Sequence, residues 1–361
     1  MEKSIVLFFS EVNWGYLRQR HHFFAESYHK KDHEVIYIGK IGLRYPKIKE
    51  VIDFFKWKKD QEEPKVKSDI QLYNGLFLPP INFLFNAMNK FFFLKRIIKS
   101  ISGNKVIIHF YQPTELILGL IKKLCELNYD VILIYDCVQD YRFHPSRVKD
   151  LLQNENRLIL KSKLILADSK VNFDRLHCTN KILVPPGVDI HHFRIKDYAK
   201  ASTPIRKILY YGNIRQDLDI RLINRIGLAK NLEITLIGLL NIDREKIHSS
   251  VKVLNSVDYT VLPSIIKNYD ALILPYDIEN PFTEAIIPAK FFECVSTGLP
   301  VLSTKMKSTS DYHKYLTIIS KETNFNNLEI NYLTPELVKE LNEVIHQSSW
   351  ENRFQKFYDQ I

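Results

Sequence analysis

Cysteine is scarce and scattered. The 361 residues contain four, Cys125, Cys137, Cys178 and Cys294, and none belongs to a CxxC pair. That spacing argues against a thiol redox site or a zinc knuckle. A chain of this length has no need of disulfide staples, so the thiols are expected reduced, as in a cytoplasmic protein. No run of about 18 apolar residues is present, so no spanning helix is expected. No basic start leads into an apolar run with a small-residue cleavage site, so secretion is not expected. HExxH, GxSxG and GxxxxGK[ST] are all missing, which removes the commonest zinc, serine-nucleophile and P-loop readings. His21-His22 and His191-His192 are adjacent pairs whose side chains diverge in regular structure. No metal site is expected.

What is present is ordinary in bulk and informative in detail. A hydrophobic content of 45% suits a globular protein, and the length suits two domains better than one. The formal charge is +10, which points toward nucleic acid, anionic lipid or phosphorylated substrates. Most charges are mixed along the chain, unlike the clustered stripe of a nucleic-acid binder. One stretch differs. Ile70 to Gly103 holds no acid, while Lys90, Lys95, Arg96 and Lys99 are interleaved with Phe83, Phe85, Met88 and Phe91 to Leu94. Residues 82–99 are therefore expected to attach the protein to an anionic membrane face, with a core helix carrying a basic edge as the competing reading.

The first half alternates strands and helices. Strands are expected at 4–9, 34–38, 105–110, 131–135 and 164–168, with helices at 18–28, 114–127 and 148–161. Residues 40–100 show no regular pattern. Pro185-Pro186-Gly187 can continue neither a helix nor a central strand. The rhythm restarts with strands at 207–211, 233–237, 251–254, 271–274, 300–303 and 316–320. Helices are expected at 217–230, 262–268, 288–296, 334–347 and 350–360. This βαβ grammar predicts an α/β protein with two parallel-sheet, Rossmann-like domains. The expected division is 1–184, a linker at 185–204, 205–345, and a C-terminal helix over 346–361.

Ligands of open parallel sheets bind beyond the carboxyl ends of the strands, so the loops after strands carry the candidates. In Asn280 to Thr304, Pro288 can open a helix whose N-terminus favours anions. Lys290 and Glu293 are three apart and share a face. A diphosphate near Lys290 and a ribose diol near Glu293 would suit both charges; a solvated pair on an amphipathic helix is the bland alternative. After the strand 207–211, Gly212 permits close backbone approach and Arg215 offers a planar fork, with a simple tight turn as the competing reading. Asp136 and Asp140 follow the strand 131–135 and are candidates for a general base, against capping or solvation. Glu11 to His21 follows the first strand without a GxGxxG, so that half is not expected to bind a dinucleotide. Asp217 and Asp219 fit a helix start better than a metal site.

These residues resemble a known family. Val184-Pro-Pro-Gly-Val-Asp189 with Phe193, the loop Tyr211-Gly212-Asn213-Ile214, Leu274-Pro275, Lys290-xx-Glu293 and Gly298-Leu-Pro-Val301 resemble, in order and spacing, the signatures of GT-B glycosyltransferases of the GT4/GT1-like kind. Glu11 to Arg20 and Tyr135 to Asp140 are similar to a bacterial polysaccharide subgroup, the TuaH-like and xanthan glucuronosyltransferase-like enzymes. The resemblance implies transfer of a sugar from a nucleotide-sugar, UDP-linked, to a saccharide or lipid-linked saccharide acceptor in surface polysaccharide synthesis. Lys290 and Arg215 can neutralise a diphosphate without an ion, so no metal or other cofactor is expected. The resemblance places Lys290 on the donor diphosphate and Glu293 on the ribose, with Gly212, Asn213, Arg215, Thr283 and Glu284 also on the donor side. Asp140, or else Asp136, would face the acceptor hydroxyl, with Glu11, Trp14, Arg18, Arg20 and His21 nearby. Where the family commonly has an acid eight residues before Glu293, this chain has Ala285 beside Glu284. Pro186 stands where asparagine is common. The rival readings are a GT-B sugar-nucleotide epimerase and a non-catalytic sugar-nucleotide-binding or scaffold protein, with a nucleic-acid binder third.

Overall fold

The computed structural model describes residues 3–15, 18–39, 70–73, 87–143, 150–198 and 204–361. It separates into two compact units. The first comprises Met1–Asp168, Asn172–Val184 and Phe354–Ile361, and the second Ser169–Val171 and Pro185–Arg353.

Among the described residues the first unit holds seven strands: β1 (Ile5–Phe9), β2 (Glu34–Ile38), β3 (Gln71–Tyr73), β4 (Lys105–Phe110), β5 (Asp130–Cys137), β6 (Leu164–Ala167) and β7 (Lys181–Leu183). They lie in the order β3-β2-β1-β4-β5-β6-β7, and all pairings are parallel, with Ile5 opposite both Glu34 and Val106. Every residue of β1 is buried. A continuous apolar run, not an alternating one, is what a strand covered on both faces requires. Helix Glu115–Glu126 turns Leu116, Leu120 and Leu124 inward, the four-residue spacing of one helical face. The strand order reverses between β1 and β4, which makes their carboxyl ends the switch point.

The second unit repeats the plan with β8 (Lys207–Tyr211), β9 (Glu233–Ile237), β10 (Lys252–Leu254), β11 (Ala271–Leu274), β12 (Val301–Ser303) and β13 (Thr317–Ile318). Their order is β10-β9-β8-β11-β12-β13, again all parallel. The switch point lies between β8 and β11.

The expected strands all form. Strands β3 and β7, and the helices Lys170–Arg175 and Ile190–Phe193, are additions, each too short to show a period. The segment read as a linker is packed. Val188 and Phe193 are fully buried in the second core, and Asp189 caps Ile190–Phe193 by accepting from the His192 amide at 3.1 Å. A Cβ at Gly187 would lie 2.6 Å from the Trp350 ring. The long segment of the second unit runs from Pro185; residues 199–203 of the expected linker lie outside the described residues.

The last helix, Trp350–Tyr358, starts in the second unit and ends in the first. Phe354 and Phe357 pack on Phe24 and Tyr28 with ring centroids 4.9–6.2 Å apart. Tyr358 Oη lies 2.8 Å from His33 Nε2.

Candidate active site

In the second unit Gly212, Lys290 and Glu293 lie at the end of β8, beside the switch point. β8 ends at Tyr211 and the chain enters Gly212 with φ +124°, a conformation that favours glycine. A Cβ on Gly212 would overlap the Lys290 ammonium, so this glycine makes the room in which that charge sits. Lys290 Nζ donates to the hydroxyls of Tyr210 at 3.0 Å and Tyr276 at 3.3 Å. It also lies 4.4 Å from the centre of the Tyr210 ring. Burial pushes both phenols above their ordinary value, so they stay neutral. Among the described residues no carboxylate forms an ion pair with Lys290. A half-buried positive charge thus stands at the switch point, its hydrogen bonds made to phenol hydroxyls and its ammonium set over a ring face.

The helix that carries this pair is shorter than expected. It spans Phe291–Ser296, with Lys290 as its N-cap. Pro288 sits in the preceding turn, closed by the Phe291 amide on the Pro288 carbonyl at 2.8 Å. Six residues make a weak dipole, so the attraction for an anion rests on the Lys290 charge, not on the helix end.

Glu293 accepts from the Tyr211 hydroxyl at 3.2 Å. Burial raises its carboxyl to about 7, against the opposing pull of the Tyr211 hydrogen bond and Lys290, while Asp189 adds to the rise. A folded-state value above the ordinary one stabilises the protein at low pH. The advantage is complete below about 4.5 and is lost as pH rises through 7. Its full size is at most about 3 kcal/mol. Urea midpoints across this window should fall with rising pH in the wild type, and Glu293→Gln should flatten that part of the profile.

Arg215 is turned to Asp217, Nη2 to Oδ2 at 2.5 Å, and is half exposed. Asp217 Oδ1 and Thr283 Oγ1 are buried without a hydrogen-bond partner among the described residues. Asp219 caps its helix by accepting from the Leu222 amide at 2.9 Å. Among the described residues no group of three or more His, Cys, Asp or Glu side chains is placed to hold a metal. The Asn213 carbonyl accepts from Tyr210 at 2.8 Å. Glu284 lies in the short helix Pro281–Glu284; its side chain is outside the described set.

In the first unit the two candidate bases differ sharply. Asp136 is fully buried. Its oxygens accept from Arg20 Nε at 2.8 Å and Nη2 at 2.9 Å. His109 Nε2 lies 3.3 Å from Oδ2, and Tyr28 Oη is 3.1 Å from His109 Nδ1. Burial alone would raise its carboxyl, but the Arg20 charge and the His109 and Arg20 hydrogen bonds hold it at about 2. Arg20 also donates to the Val184 carbonyl at 2.7 Å. Asp136 and Arg20 thus form a buried ion pair, with side chains 0% and 6% exposed.

Asp140 is 1% exposed. It accepts from the Arg142 amide at 3.0 Å and from Arg142 Nη2 at 2.6 Å. Burial would raise its carboxyl; the Arg142 hydrogen bonds and the Arg175 charge outweigh that and lower it. The Arg142 side chain is itself 53% exposed, so this clasp opens to solvent where that of Asp136 does not.

Of the expected acceptor-side residues, Glu11 accepts from Tyr141 Oη at 2.8 Å and from Gln139 Nε2. This ties the end of β1 to the loop after β5. Trp14 packs edge-on to Tyr37 at 4.9 Å. Arg18 is an outlier: it pairs with Glu26 at 2.5 Å on an exposed surface. His21 is buried against Tyr111 with ring centroids 3.9 Å apart, and both its ring nitrogens are without partners among the described residues. Burial pushes His21 well below its ordinary value, so the ring is neutral. Sequence reasoning passed over Tyr210, Tyr276, Arg142 and Arg175. Tyr276 was within reach, since it follows the Leu274-Pro275 strand end already singled out.

No family model and no curated protein matches the chain. Solved structures do. OtsA in its apo form is similar with a TM-score of 0.64 at 10% identity, covering 99% of both chains. A glycosyltransferase from Rickettsia africae ESF-5 gives 0.61 at 14%, covering 99% of this chain and 98% of that one. The lipopolysaccharide outer core galactosyltransferase WaaB, apo form, gives 0.60 at 16%, with the same coverage. Two Rossmann-like parallel sheets with matching neighbours over almost the entire length establish the architecture: the chain has the GT-B fold.

Proposed function

We propose that the protein is a glycosyltransferase that takes a sugar from a UDP-sugar and passes it to a saccharide or lipid-linked saccharide in bacterial surface polysaccharide synthesis. The observation that carries the donor half is the Lys290 ammonium, half-buried at the switch point of the second sheet and in ion-pair contact with no carboxylate among the described residues. A nucleoside diphosphate supplies the missing negative charge, and its contacts there are charge-assisted hydrogen bonds. Arg215 adds a second cation once it exchanges Asp217 for phosphate. Two cations make a divalent metal unnecessary. Glu293, one helical turn from Lys290, accepts from ribose hydroxyls as a carboxylate. Structural neighbours named as glycosyltransferases support the class of reaction.

The first unit supplies the acceptor-side carboxylate. Asp140 is the better candidate because its nearest partner, Arg142, is 53% exposed, with Arg175 further off at 3.8 Å, whereas Asp136 and its partner Arg20 are both buried. A hydroxyl attacking the anomeric carbon must lose its proton as the nucleotide leaves. A carboxylate released from Arg142 at that moment gives the proton a destination.

Donor binding is the direct test. UDP should raise the melting temperature more than GDP, CDP or ADP do, because a ligand that binds only the native state stabilises it. The shift should survive EDTA. Lys290→Ala should weaken UDP binding by about 1.5–3 kcal/mol, roughly 10- to 150-fold. Unchanged UDP affinity in Lys290→Ala, measured by calorimetry, would remove this site from the donor role.

A further inference from the structure

The acid-free stretch of the first unit ends in a helix that resolves two readings left open by its composition. Residues 87–99 are helical, and Lys90–Leu94 form a π-turn ahead of Lys95–Lys99. One face is anchored. Asn89, Phe93 and Ile97, four residues apart, are buried. Phe93 packs edge-on against Phe9 at 5.9 Å and Tyr73 at 5.1 Å. The opposite face does not pack on the core. Phe91 is 67% exposed, Phe92 66% and Met88 38%, and the two phenylalanine rings stand perpendicular at 5.1 Å. Lys95, Arg96 and Lys99 are exposed one and two turns further on. Residues 82–86 and the Lys90 side chain lie outside the described set.

The core-helix reading accounts for Phe93 and Ile97 and leaves Phe91 and Phe92 unexplained. Two adjacent, largely exposed aromatic rings on a well-anchored helix mark a contact surface. The neighbouring charges choose the partner. A second copy of the same face would bring like charges together. The two rings stand perpendicular at 5.1 Å, which leaves no slot between them for a stacked base. An anionic bilayer surface satisfies both features at once. Aromatic rings enter the interfacial region while lysine and arginine meet the headgroups. No helix among the described residues is long and apolar enough to cross a membrane, so the contact is interfacial.

We infer that the outer face of residues 87–99 docks the first unit on an anionic lipid surface, with Phe91 and Phe92 inserting and Lys95, Arg96 and Lys99 holding the headgroups. The inference does not depend on the proposed sugar transfer.

The test uses the full chain and vesicle flotation. Vesicles of phosphatidylcholine with about 30% phosphatidylglycerol should carry the protein, and pure phosphatidylcholine vesicles should not. Raising the salt to about 0.5 M should weaken the binding. Phe91→Ser with Phe92→Ser should lower the partition coefficient at least about tenfold. Lys95→Gln, Arg96→Gln and Lys99→Gln together should lower it about 100-fold. Both variants should keep the wild-type melting temperature, since none of these side chains is buried. Failure of the wild type to float would overturn the inference, as would flotation unchanged in both variants. Two other results would also overturn it: a concentration-dependent dimer abolished by the phenylalanine variant, and salt-sensitive retention on DNA without vesicle binding.

Discussion

Asp140→Asn is expected to lower turnover by about 10²–10⁴-fold while leaving UDP binding nearly intact, the usual cost of removing a general base. Asparagine keeps the shape and can still accept from the Arg142 amide, so the loop after β5 should hold. What is lost is the ability to take a proton. The Arg142 clasp sharpens the expectation. In the structure as it stands, Arg142 hydrogen bonds hold the Asp140 carboxyl below the usual carboxylate range, which makes it a weak base. Arg142→Ala should therefore raise the lower pKa in the pH profile of kcat. A role for Arg142 in loop structure alone would move stability and leave the profile in place. Normal turnover in Asp140→Asn would shift the search to Glu11 and His21, the first joined to the same loop through Tyr141 and the second neutral with both nitrogens unengaged.

The second large effect concerns stability. Breaking a buried ion pair from one side leaves an uncompensated charge in the interior, at a cost of about 3–5 kcal/mol. Asp136→Ala and Arg20→Ala should each lower the stability of the full chain by that amount in urea. Removing both should cost less than the sum, because the second change relieves the charge stranded by the first. The depressed carboxyl adds a pH signature. A value held at about 2 contributes stability that is present above the ordinary aspartate range and is lost as pH falls toward 2. Asp136→Asn should shift the acid-unfolding midpoint upward. A variant at Asp136 that kept full stability and lost turnover would return this residue to the chemistry.

The sequence made the two-unit α/β plan legible because buried parallel strands are short apolar runs with turns between them. Ile5 to Phe9, Lys207 to Tyr211 and Ala271 to Leu274 announce themselves without any help from tertiary context. Lys290 and Glu293 were legible for a different reason: a cation and an acid three apart, after a strand, need a shared purpose. What stayed hidden is long-range pairing. Nothing near Asp136 in the chain points to Arg20, 116 residues away. Nothing near Lys290 points to Tyr210, 80 residues before it. The apolar content of Val188 to Phe193 was visible, but the double proline preceding it looked like a boundary. Proline breaks secondary structure; it does not prevent packing. Pro185 does stand at a boundary, that of the second unit, and the segment after it is core.

The shared final helix has a consequence for how the chain is made. Phe354, Phe357 and Tyr358 complete the aromatic core of the first unit, and His33 reaches its partner Tyr358 only 325 residues later. At ribosomal speeds of about 5–20 residues per second, His33 waits roughly 15–65 seconds for that partner. Phe24 and Tyr28 wait as long for Phe354 and Phe357. During that interval Phe24, Tyr28 and His33 lack these partners, while the second unit is still being synthesised. A chaperone that recognises exposed aromatic side chains on nascent chains should bind here during synthesis and be released once the segment from Trp350 to Tyr358 emerges.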